Sequence, residues 1–274
     1  MPELPEVECI VRGLNYLVTG KKIVGLEFFF ERMLAGVAVS EFTGQICGLI
    51  IKQVKRRGKY ILFYLSGGKV LEVHLRMTGR FSFYPGPTRP EKHTGVVFYF
   101  DGGSQLHFLD IRKFATFKLW DEKELYKAAP FCLGPDPLQD DFTLDLFLQM
   151  LEKKPRSKIK TFFLDQKNIM GMGNIYTDET LFRAGIHPEK RTGSLGAEEK
   201  KYLFETINDI LREAVALGGT SISDYRNLEG VAGNFQNKLQ VYRKKGAACP
   251  KCSNNIERIV VSGRGTYFCP YCQK

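Results

Sequence analysis

The stretch Cys249-Pro-Lys-Cys252, followed after sixteen residues by Cys269-Pro-Tyr-Cys272, decides the fold of one end of this chain. A two-residue gap lets both sulfurs of a tight turn face one ion, and two such pairs make a tetrahedral Zn²⁺ site. A closed four-thiolate site is structural, so the sequence predicts one structural Zn²⁺ and places catalysis elsewhere. The alternative is a pair of disulfides in a secreted domain. It is disfavoured because we expect no signal peptide and the total of seven cysteines is odd.

The residues between the two cysteine pairs predict a β-hairpin. Two runs with β-type composition, residues 259–261 and 266–268, flank the tip Ser262-Gly263-Arg264-Gly265. The zinc-held hairpin would therefore present Arg264.

The segment before the zinc module has helical periodicity. Apolar residues recur at helical spacing over residues 142–153, 157–166, 174–184 and 197–217. A domain boundary is predicted at residues 133–137, because two prolines and a glycine sustain neither helix nor strand. After Gly218 and Gly219, which end the last helix, residues 220–233 are polar and contain glycine, and we predict a mobile loop.

The other end of the chain predicts one helix and then a β-rich region. A helix begins at Pro5 and buries one apolar face formed by Val7, Ile10, Val11, Leu14 and Leu17. From about residue 22 to 120, short runs of β-branched and aromatic residues alternate with glycine pairs. This pattern is typical of antiparallel hairpins in a sandwich or barrel.

The composition favours a polyanionic partner. Forty Lys and Arg residues against thirty Asp and Glu leave a formal net charge of +10. No run of about eighteen apolar residues occurs, so we expect no membrane span. Cys9, Cys47 and Cys132 lack ligand spacing, and we expect them to be reduced residues of a cytoplasmic protein.

The opening residues offer a nucleophile. If Met1 is removed, Pro2 exposes a secondary amine, and an α-amino group with a pKa of about 7.7 to 8.0 is partly neutral at physiological pH. Such an amine can attack a sugar C1′ and form an iminium, with Glu3 near enough to move protons. The alternative is that these residues merely start a helix.

Two further groups of residues could contact a nucleic acid. Gly171 and Gly173 precede a predicted helix at Asn174, an arrangement that suits a phosphate but also an ordinary turn. The motifs His74-Leu-Arg-Met77 and Asp110-Ile-Arg-Lys-Phe114 each place a cation beside a long apolar side chain. Such side chains suit a wedge between bases, although the pattern alone fits a hydrophobic core equally well.

Together these motifs resemble the bacterial formamidopyrimidine-DNA glycosylase family over essentially the whole chain. The resemblance rests on the opening Pro-Glu-Leu-Pro-Glu, Arg57-Gly-Lys-Tyr60, the two wedge motifs, Gly173-Asn-Ile-Tyr176, Gly263-Arg-Gly-Thr266 and the cysteine quartet. It implies a monomeric base-excision repair enzyme of the bacterial cytoplasm. Its substrate would be duplex DNA that contains 8-oxoguanine or formamidopyrimidines, and it would then cut the abasic strand by β,δ-elimination.

The resemblance also implies a fold and a domain division. We expect a multidomain α+β protein with an N-terminal antiparallel β-sandwich and helix (residues 1–132). A helix-two-turns-helix domain (133–237) would follow, with a lesion-recognition loop at about 219–235, and then a zinc-finger β-hairpin (238–274).

The same resemblance assigns roles to individual residues. Pro2 would be the Schiff-base nucleophile and Glu3 its acid/base partner, with Lys59 and Arg264 completing the active site at the DNA backbone. Met77, Arg112 and Phe114 would fill the gap left by a flipped nucleotide, with Arg112 facing the orphaned cytosine. The remaining predicted DNA contacts are His93, Lys160 and Asn174.

Three positions depart from the family pattern, and two rival functions remain open. Ala115 and Arg243 replace glycines, and Gly95 replaces a second histidine expected after His93, which puts one phosphate contact in doubt. One rival is an endonuclease VIII-type glycosylase for oxidised pyrimidines. The other is a binder of damaged DNA without catalysis, which would gain support if Met1 stayed on the chain.

Overall fold

The structure, a computed structural model, describes residues 1–34, 36–125, 127, 132–222 and 225–274. These residues form two compact units. One contains Met1–Cys132 and Gly218–Asn234, and the other contains Leu133–Leu217 and Phe235–Lys274. No helix within the described ranges is long and apolar enough to cross a lipid bilayer.

The first unit is built on a β-sandwich. Its strands are β1 (Ile23–Phe28), β2 (Ile51–Arg57), β3 (Tyr60–Leu65), β4 (Lys69–His74), β5 (Arg80–Tyr84), β6 (Thr94–Phe100), β7 (Gln105–Leu109) and β8 (Thr116–Asp121). They form two antiparallel sheets, in the orders β1-β6-β7-β5 and β2-β3-β4-β8. Rings from the two sheets meet in one core, where Phe108 of β7 lies edge-on to Phe117 of β8 with ring centroids 4.9 Å apart. The predicted antiparallel sandwich is confirmed.

Three helices of this unit are α1 (Leu4–Val18), α2 (Val39–Ile46) and α3 (Glu122–Leu125). The predicted apolar face of α1 is buried at Val7, Ile10, Val11 and Leu14. Helices α2 and α3 were not expected from the sequence pattern. They are short, and α2 buries only Phe42 and Ile46, so neither produces a recognisable helical period.

Side-chain bonds attach α1 to the edge strand β2. Asn15 Nδ2 donates to the Val54 carbonyl at 2.5 Å, and the Val54 N–H donates to Asn15 Oδ1 at 2.8 Å. Glu8 accepts from Arg56 at 2.8 Å and from Arg12 at 2.9 Å. Burial raises the pKa of Glu8, but the two guanidinium groups outweigh it and the pKa is lowered. Helix α1 is therefore attached to β2 by these bonds, and it fixes the position of the residues that precede it.

The second unit combines helices with a two-stranded hairpin. Its elements are α4 (Leu144–Glu152), α5 (Ile159–Leu164), α6 (Asn174–Ala184), α7 (Ala197–Ala216), β9 (Glu257–Val261) and β10 (Arg264–Phe268). The predicted stripe of α7 is buried at Leu203, Ile207, Ile210, Leu211 and Ala214. Gly218 follows the end of α7 with a φ of +75°, in the left-handed region where glycine is favoured.

Candidate functional site

The four predicted zinc ligands converge on one point. The Sγ atoms of Cys249, Cys252, Cys269 and Cys272 all lie within 4.8 Å of one another, and none is in a disulfide. Two of the sulfur–sulfur distances are 3.8 Å and 3.5 Å. A tetrahedron with Zn–S bonds of about 2.3 Å separates its sulfurs by roughly 3.8 Å, so the four thiolates fit one Zn²⁺. This geometry supports the structural metal and not the disulfide alternative.

The hairpin between the cysteine pairs presents Arg264 at its tip. Val261 pairs with Arg264 across a two-residue turn, in which Ser262 and Gly263 have φ values of +50° and +71°. Two positive φ angles are typical of the tight turns that close β-hairpins. Arg264 is exposed, as the sequence predicts.

Pro2 and Glu3 are buried at the start of α1. Glu3 is the N-cap residue, and its side chain and backbone together are only 3% exposed. Its backbone N–H donates to Glu6 Oε2 at 2.7 Å, which completes part of a capping box. This hydrogen bond therefore fixes the backbone of Glu3, the predicted proton-transfer partner, next to the predicted nucleophile Pro2.

Glu6 links these residues to the segment Gly218–Asn234. Its Oε1 accepts a hydrogen bond from the Thr220 backbone N–H at 2.7 Å. The Tyr225 hydroxyl donates to the Glu6 carbonyl at 3.5 Å. The residues predicted as a lesion-recognition loop thus contact the helix that follows Pro2, a contact that sequence reasoning missed.

Lys59 lies in the turn between β2 and β3 and is 8% exposed. Nearby, the Tyr60 ring lies edge-on to His74 with centroids 4.7 Å apart. His74 Nδ1 accepts from the Arg76 N–H at 3.0 Å, so its other ring nitrogen is left as a donor in the neutral form. Burial, followed by the charges of Arg76 and Lys59, lowers the pKa of His74 to about 3. This corner of the sandwich therefore combines cations with a neutral histidine.

The three predicted wedge residues form one exposed cluster. Arg112 Nη1 lies 2.9 Å from Met77 Sδ, and the Arg112 guanidinium lies 5.1 Å from the centre of the Phe114 ring. Met77 is 42% exposed and Phe114 is 52% exposed. Met77 and Phe114 do not enter the core, so the alternative that these two side chains belong to a hydrophobic core is wrong.

A buried aspartate holds the loop that carries Arg112 and Phe114. Asp110 is 1% exposed, and its carboxylate accepts from the N–H groups of Arg112 (3.1 Å), Phe114 (2.7 Å) and Ala115 (2.9 Å). The Thr78 hydroxyl also donates to Asp110 and accepts from the Arg112 N–H at 3.1 Å. A carboxylate that accepts from the N–H two residues later is a common turn signal, so Asp110 could have been found from the sequence.

Asn174 is the first residue of α6 and contacts the zinc hairpin. Its Nδ2 donates to the Gly265 carbonyl at 2.8 Å, next to Arg264. Its buried Oδ1 has no hydrogen-bond partner among the residues that the structure describes. Two of the predicted phosphate contacts, Asn174 and Arg264, are therefore neighbours in the second unit.

The prediction that Lys160 contacts DNA directly does not fit its position. The side chain is fully buried, and its Nζ lies 2.6 Å from Asp178 Oδ1, which is also fully buried. The family resemblance implies that Lys160 contacts DNA, but α5 directs this lysine into the interior beside the hairpin. We correct its role to a structural one.

His93 lines a pocket of about 240 Å³ in the first unit. Arg80, Lys92 and Arg226 also line it, so four groups that can carry positive charge surround one cavity. His93 has a φ of +73°, and its carbonyl accepts from the Asp110 N–H at 3.0 Å. This surface suits an anion, as the prediction for His93 requires.

The three departures from the family pattern have local explanations. A Cβ atom at Gly95 would lie 2.6 Å from the end of the Met33 side chain, so a larger residue there would displace it. Arg243 has a φ of +61°, a conformation that glycine adopts more easily. Ala115 is 2% exposed and donates to Asp110 through its backbone, so its methyl group lies in the interior.

Models of three related domains match this chain. They are the formamidopyrimidine-DNA glycosylase N-terminal domain at residues 1–117, the formamidopyrimidine-DNA glycosylase H2TH domain at residues 133–226 and a zinc finger found in FPG and IleRS at residues 246–274. Together these three matches cover most of the chain.

Similar proteins match over their whole length. The formamidopyrimidine-DNA glycosylases of Listeria innocua and Shouchella clausii are 43% and 44% identical to this chain, and the alignments cover 100% of the chain and 100% and 99% of those proteins. Among solved structures, Lactococcus lactis Fpg with abasic-site DNA has a TM-score of 0.90 at 38% identity, covering 99% of both chains. The same wild-type enzyme with an N7-benzyl-Fapy-dG DNA also has a TM-score of 0.90 at 38% identity, covering 100% of both. The chain therefore belongs to the formamidopyrimidine-DNA glycosylase family.

Proposed function

We propose that this protein is a base-excision repair DNA glycosylase that removes oxidised purines, 8-oxoguanine and formamidopyrimidines, from duplex DNA. The observation that carries the proposal is the exposed cluster of Met77, Arg112 and Phe114 in the same unit as Pro2 and Glu3. An enzyme that reacts at a sugar C1′ must take the nucleotide out of the stack and fill the gap. Apolar side chains around an arginine suit that task.

Pro2 supplies the nucleophile in this mechanism. After Met1 is removed, the Pro2 nitrogen bonds to C1′ while the bond from C1′ to the base breaks, and the base leaves with the electron pair and takes up a proton. Loss of the amine proton and opening of the sugar ring give an iminium, and Glu3 carries protons to and from the sugar. Burial of Glu3 and its place at the N-cap support this role.

The same iminium supports strand cleavage, which we propose as a second activity. It acidifies the neighbouring C2′–H, so loss of that proton expels the 3′ phosphate, and a further elimination expels the 5′ phosphate. Water then releases the sugar fragment and restores the Pro2 amine.

The backbone contacts divide between the two units. We assign phosphate binding to Lys59 and His93 in the first unit and to Asn174 and Arg264 in the second. The zinc ion is structural, because four thiolates close its coordination sphere, and it supports the hairpin that carries Arg264. Lys160 is not among the phosphate contacts, since its ammonium group is buried.

The proposal also covers the domain division, the oligomeric state and the cellular location. We propose domains at residues 1–132, 133–237 and 238–274, a monomeric protein and a location in the bacterial cytoplasm. The family-model matches at residues 1–117, 133–226 and 246–274 support the three domains, and the bacterial relatives support the location.

Borohydride trapping tests the nucleophile. Protein that lacks Met1 should form a covalent adduct with a duplex containing 8-oxoguanine opposite cytosine, and acetylation of its N-terminus should abolish the adduct. An adduct that survives acetylation would remove Pro2 from the mechanism. Parallel assays with thymine glycol separate purine from pyrimidine specificity, because an endonuclease VIII-type enzyme would excise it faster than 8-oxoguanine.

A further inference from the structure

The zinc hairpin is anchored to the helices of its unit by a buried ion pair. Lys160 of α5 and Asp178 of α6 both have fully buried side chains, with Nζ and Oδ1 2.6 Å apart. The second carboxylate oxygen, Oδ2, accepts from the Tyr267 backbone N–H at 3.0 Å. Lys160 Nζ also donates to the Gly265 carbonyl at 3.4 Å. The pair therefore holds the backbone of β10 on both sides of Thr266.

The anchored residues are the immediate neighbours of Arg264. The Gly265 carbonyl accepts from Asn174 as well as from Lys160. At the turn, Ser262 Oγ lies 2.6 Å from Thr161 Oγ1 of α5. The position of the exposed Arg264 side chain thus depends on polar contacts that α5 and α6 make with the hairpin, two of them to the Gly265 carbonyl and one to the Ser262 hydroxyl.

Stability alone does not explain an ion pair at this place. Replacing a buried pair by apolar residues of similar size is often neutral or stabilising, whereas such pairs can fix one arrangement of neighbouring elements. Burial raises the pKa of Asp178, and the adjacent ammonium group and the Tyr267 N–H act against this shift. The carboxylate contacts the ammonium group of Lys160 with one oxygen and the β10 backbone with the other. Such a pair of contacts allows β10 to sit on α6 at only one position along the strand.

We propose that Asp178, paired with Lys160, is a positioning residue for Arg264. It fixes the register of β10 on α6, so that Arg264 and Asn174 are presented side by side to one DNA backbone. The inference rests on the proposed function only where it assigns DNA contact to Arg264 and Asn174. The anchoring itself can be tested without DNA.

The first test is amide hydrogen exchange of the zinc-loaded protein. In Asp178→Asn one oxygen remains, and the amide group cannot accept from both Lys160 and Tyr267. We expect the Tyr267 N–H to exchange at least about tenfold faster, which corresponds to about 1.4 kcal/mol of lost protection. Glu213→Gln is the matched control, because its 2.9 Å pair with Arg183 also joins α6 to another helix but leaves β10 untouched. Unchanged exchange at Tyr267, or loss of zinc from Asp178→Asn, would overturn the proposal.

The second test measures DNA affinity against salt concentration. If Asp178 acts through Arg264, Asp178→Asn should weaken binding and make the log–log salt slope shallower by up to roughly one unit. The double variant Asp178→Asn/Arg264→Ala should then match Arg264→Ala within about twofold, since coupled residues are not additive. Fully additive losses would contradict a shared path.

A paired variant covers the case in which Asp178→Asn does not fold. Lys160→Met with Asp178→Leu removes both charges together and leaves no unpaired buried ion. We expect this protein to fold, bind one zinc and show the same shallower salt slope, whereas an unchanged slope would overturn the proposal. If Arg264→Ala itself leaves the slope unchanged, the phosphate assignment under the proposed function fails, while the exchange measurement still decides whether Asp178 anchors the hairpin.

Discussion

The Glu6 carboxylate accepts a hydrogen bond from the Thr220 backbone N–H at 2.7 Å, across 214 positions of sequence. Its other oxygen accepts from the Glu3 N–H at the same distance. One side chain therefore fixes both the start of α1 and the segment predicted to recognise the damaged base. Disturbing it should affect both.

We predict that Glu6→Gln loses one of these two hydrogen bonds, because its amide group has only one acceptor oxygen. A buried N–H without a partner costs about 1–3 kcal/mol, so the free energy of unfolding should fall by that amount. Segment 218–234 should also become more sensitive to limited proteolysis. Chemical unfolding of Glu6→Gln beside Glu41→Gln, an exposed acid of α2, checks this, and equal stabilities would contradict it.

Phe114→Ala should lower excision from duplex DNA. If the wedge offsets the few kcal/mol needed to empty the stack, its truncation should reduce kcat/KM by on the order of tenfold or more. The loss should be smaller when the damaged nucleotide already lies in an unpaired bubble. Tyr16→Ala removes a ring of α1 that is even more exposed, 89% against 52% for Phe114, and should leave both rates unchanged. Equal losses on duplex and bubble substrates would argue against a wedge.

Asp110→Asn should reproduce much of the Phe114→Ala defect. The carboxylate holds the N–H groups of Arg112, Phe114 and Ala115, and an amide can accept at only one oxygen. We expect weaker discrimination among bases opposite the lesion, because Arg112 loses its fixed direction. Excision assays with cytosine, adenine and thymine opposite 8-oxoguanine measure this. Unaltered discrimination would separate Asp110 from the wedge.

His74 should make stability depend on pH. The pKa of His74 in the folded protein is about 3, below its ordinary value of 6.5. Between these two pH values the unfolded chain therefore binds a proton at His74 and the folded protein does not. The contribution to stability is present above pH 6.5 and falls with decreasing pH by about 1.4 kcal/mol per unit.

Denaturant unfolding at about pH 7 and pH 5.5 tests this dependence, and protonation of the unfolded chain sets a loss of about 1.3 kcal/mol over this interval. His74→Phe removes the titrating ring and should lose less stability over this interval than the unsubstituted protein. Any zinc release affects both proteins and cancels in the difference. Equal losses of stability in His74→Phe and in the unsubstituted protein would exclude His74 as the cause.

Removal of the metal should unfold the hairpin. A structural zinc site contributes directly to folding, so a chelator or Cys269→Ser should abolish zinc binding and DNA affinity together. Cys132→Ser, which changes an exposed cysteine outside the cluster, should retain one zinc per chain. Metal analysis and circular dichroism measure these outcomes. DNA binding at full strength without zinc would contradict a supporting role for the hairpin.

Local patterns were sufficient for much of the fold. Residues 174–184 were predicted as a helix and form α6, because a glycine precedes the helix and Gly185, with a φ of +73°, ends it. The four cysteines and the turn at Ser262 and Gly263 likewise depend on spacing within a few residues. Such features are determined by the sequence of short stretches of the chain.

Other features depend on contacts between distant residues. The expectation that Lys160 contacts DNA is wrong because the sequence does not show that Asp178 faces it from another helix. The same limit applies to Glu6, whose partner Thr220 lies in a separate part of the chain. The family resemblance predicts which residues act on DNA, but the residues that would position them are visible only in three dimensions.

Asn15 of α1 uses its amide group to bond both the N–H and the carbonyl of Val54 on the outer strand β2. An edge strand with unpaired backbone groups can pair with a strand from another molecule. Backbone groups that are already hydrogen-bonded cannot pair in this way. Helix α1 therefore also protects the edge of β2 against the addition of a strand from another molecule. Loosening it would expose the protein to fibre-like self-association as well as to loss of repair.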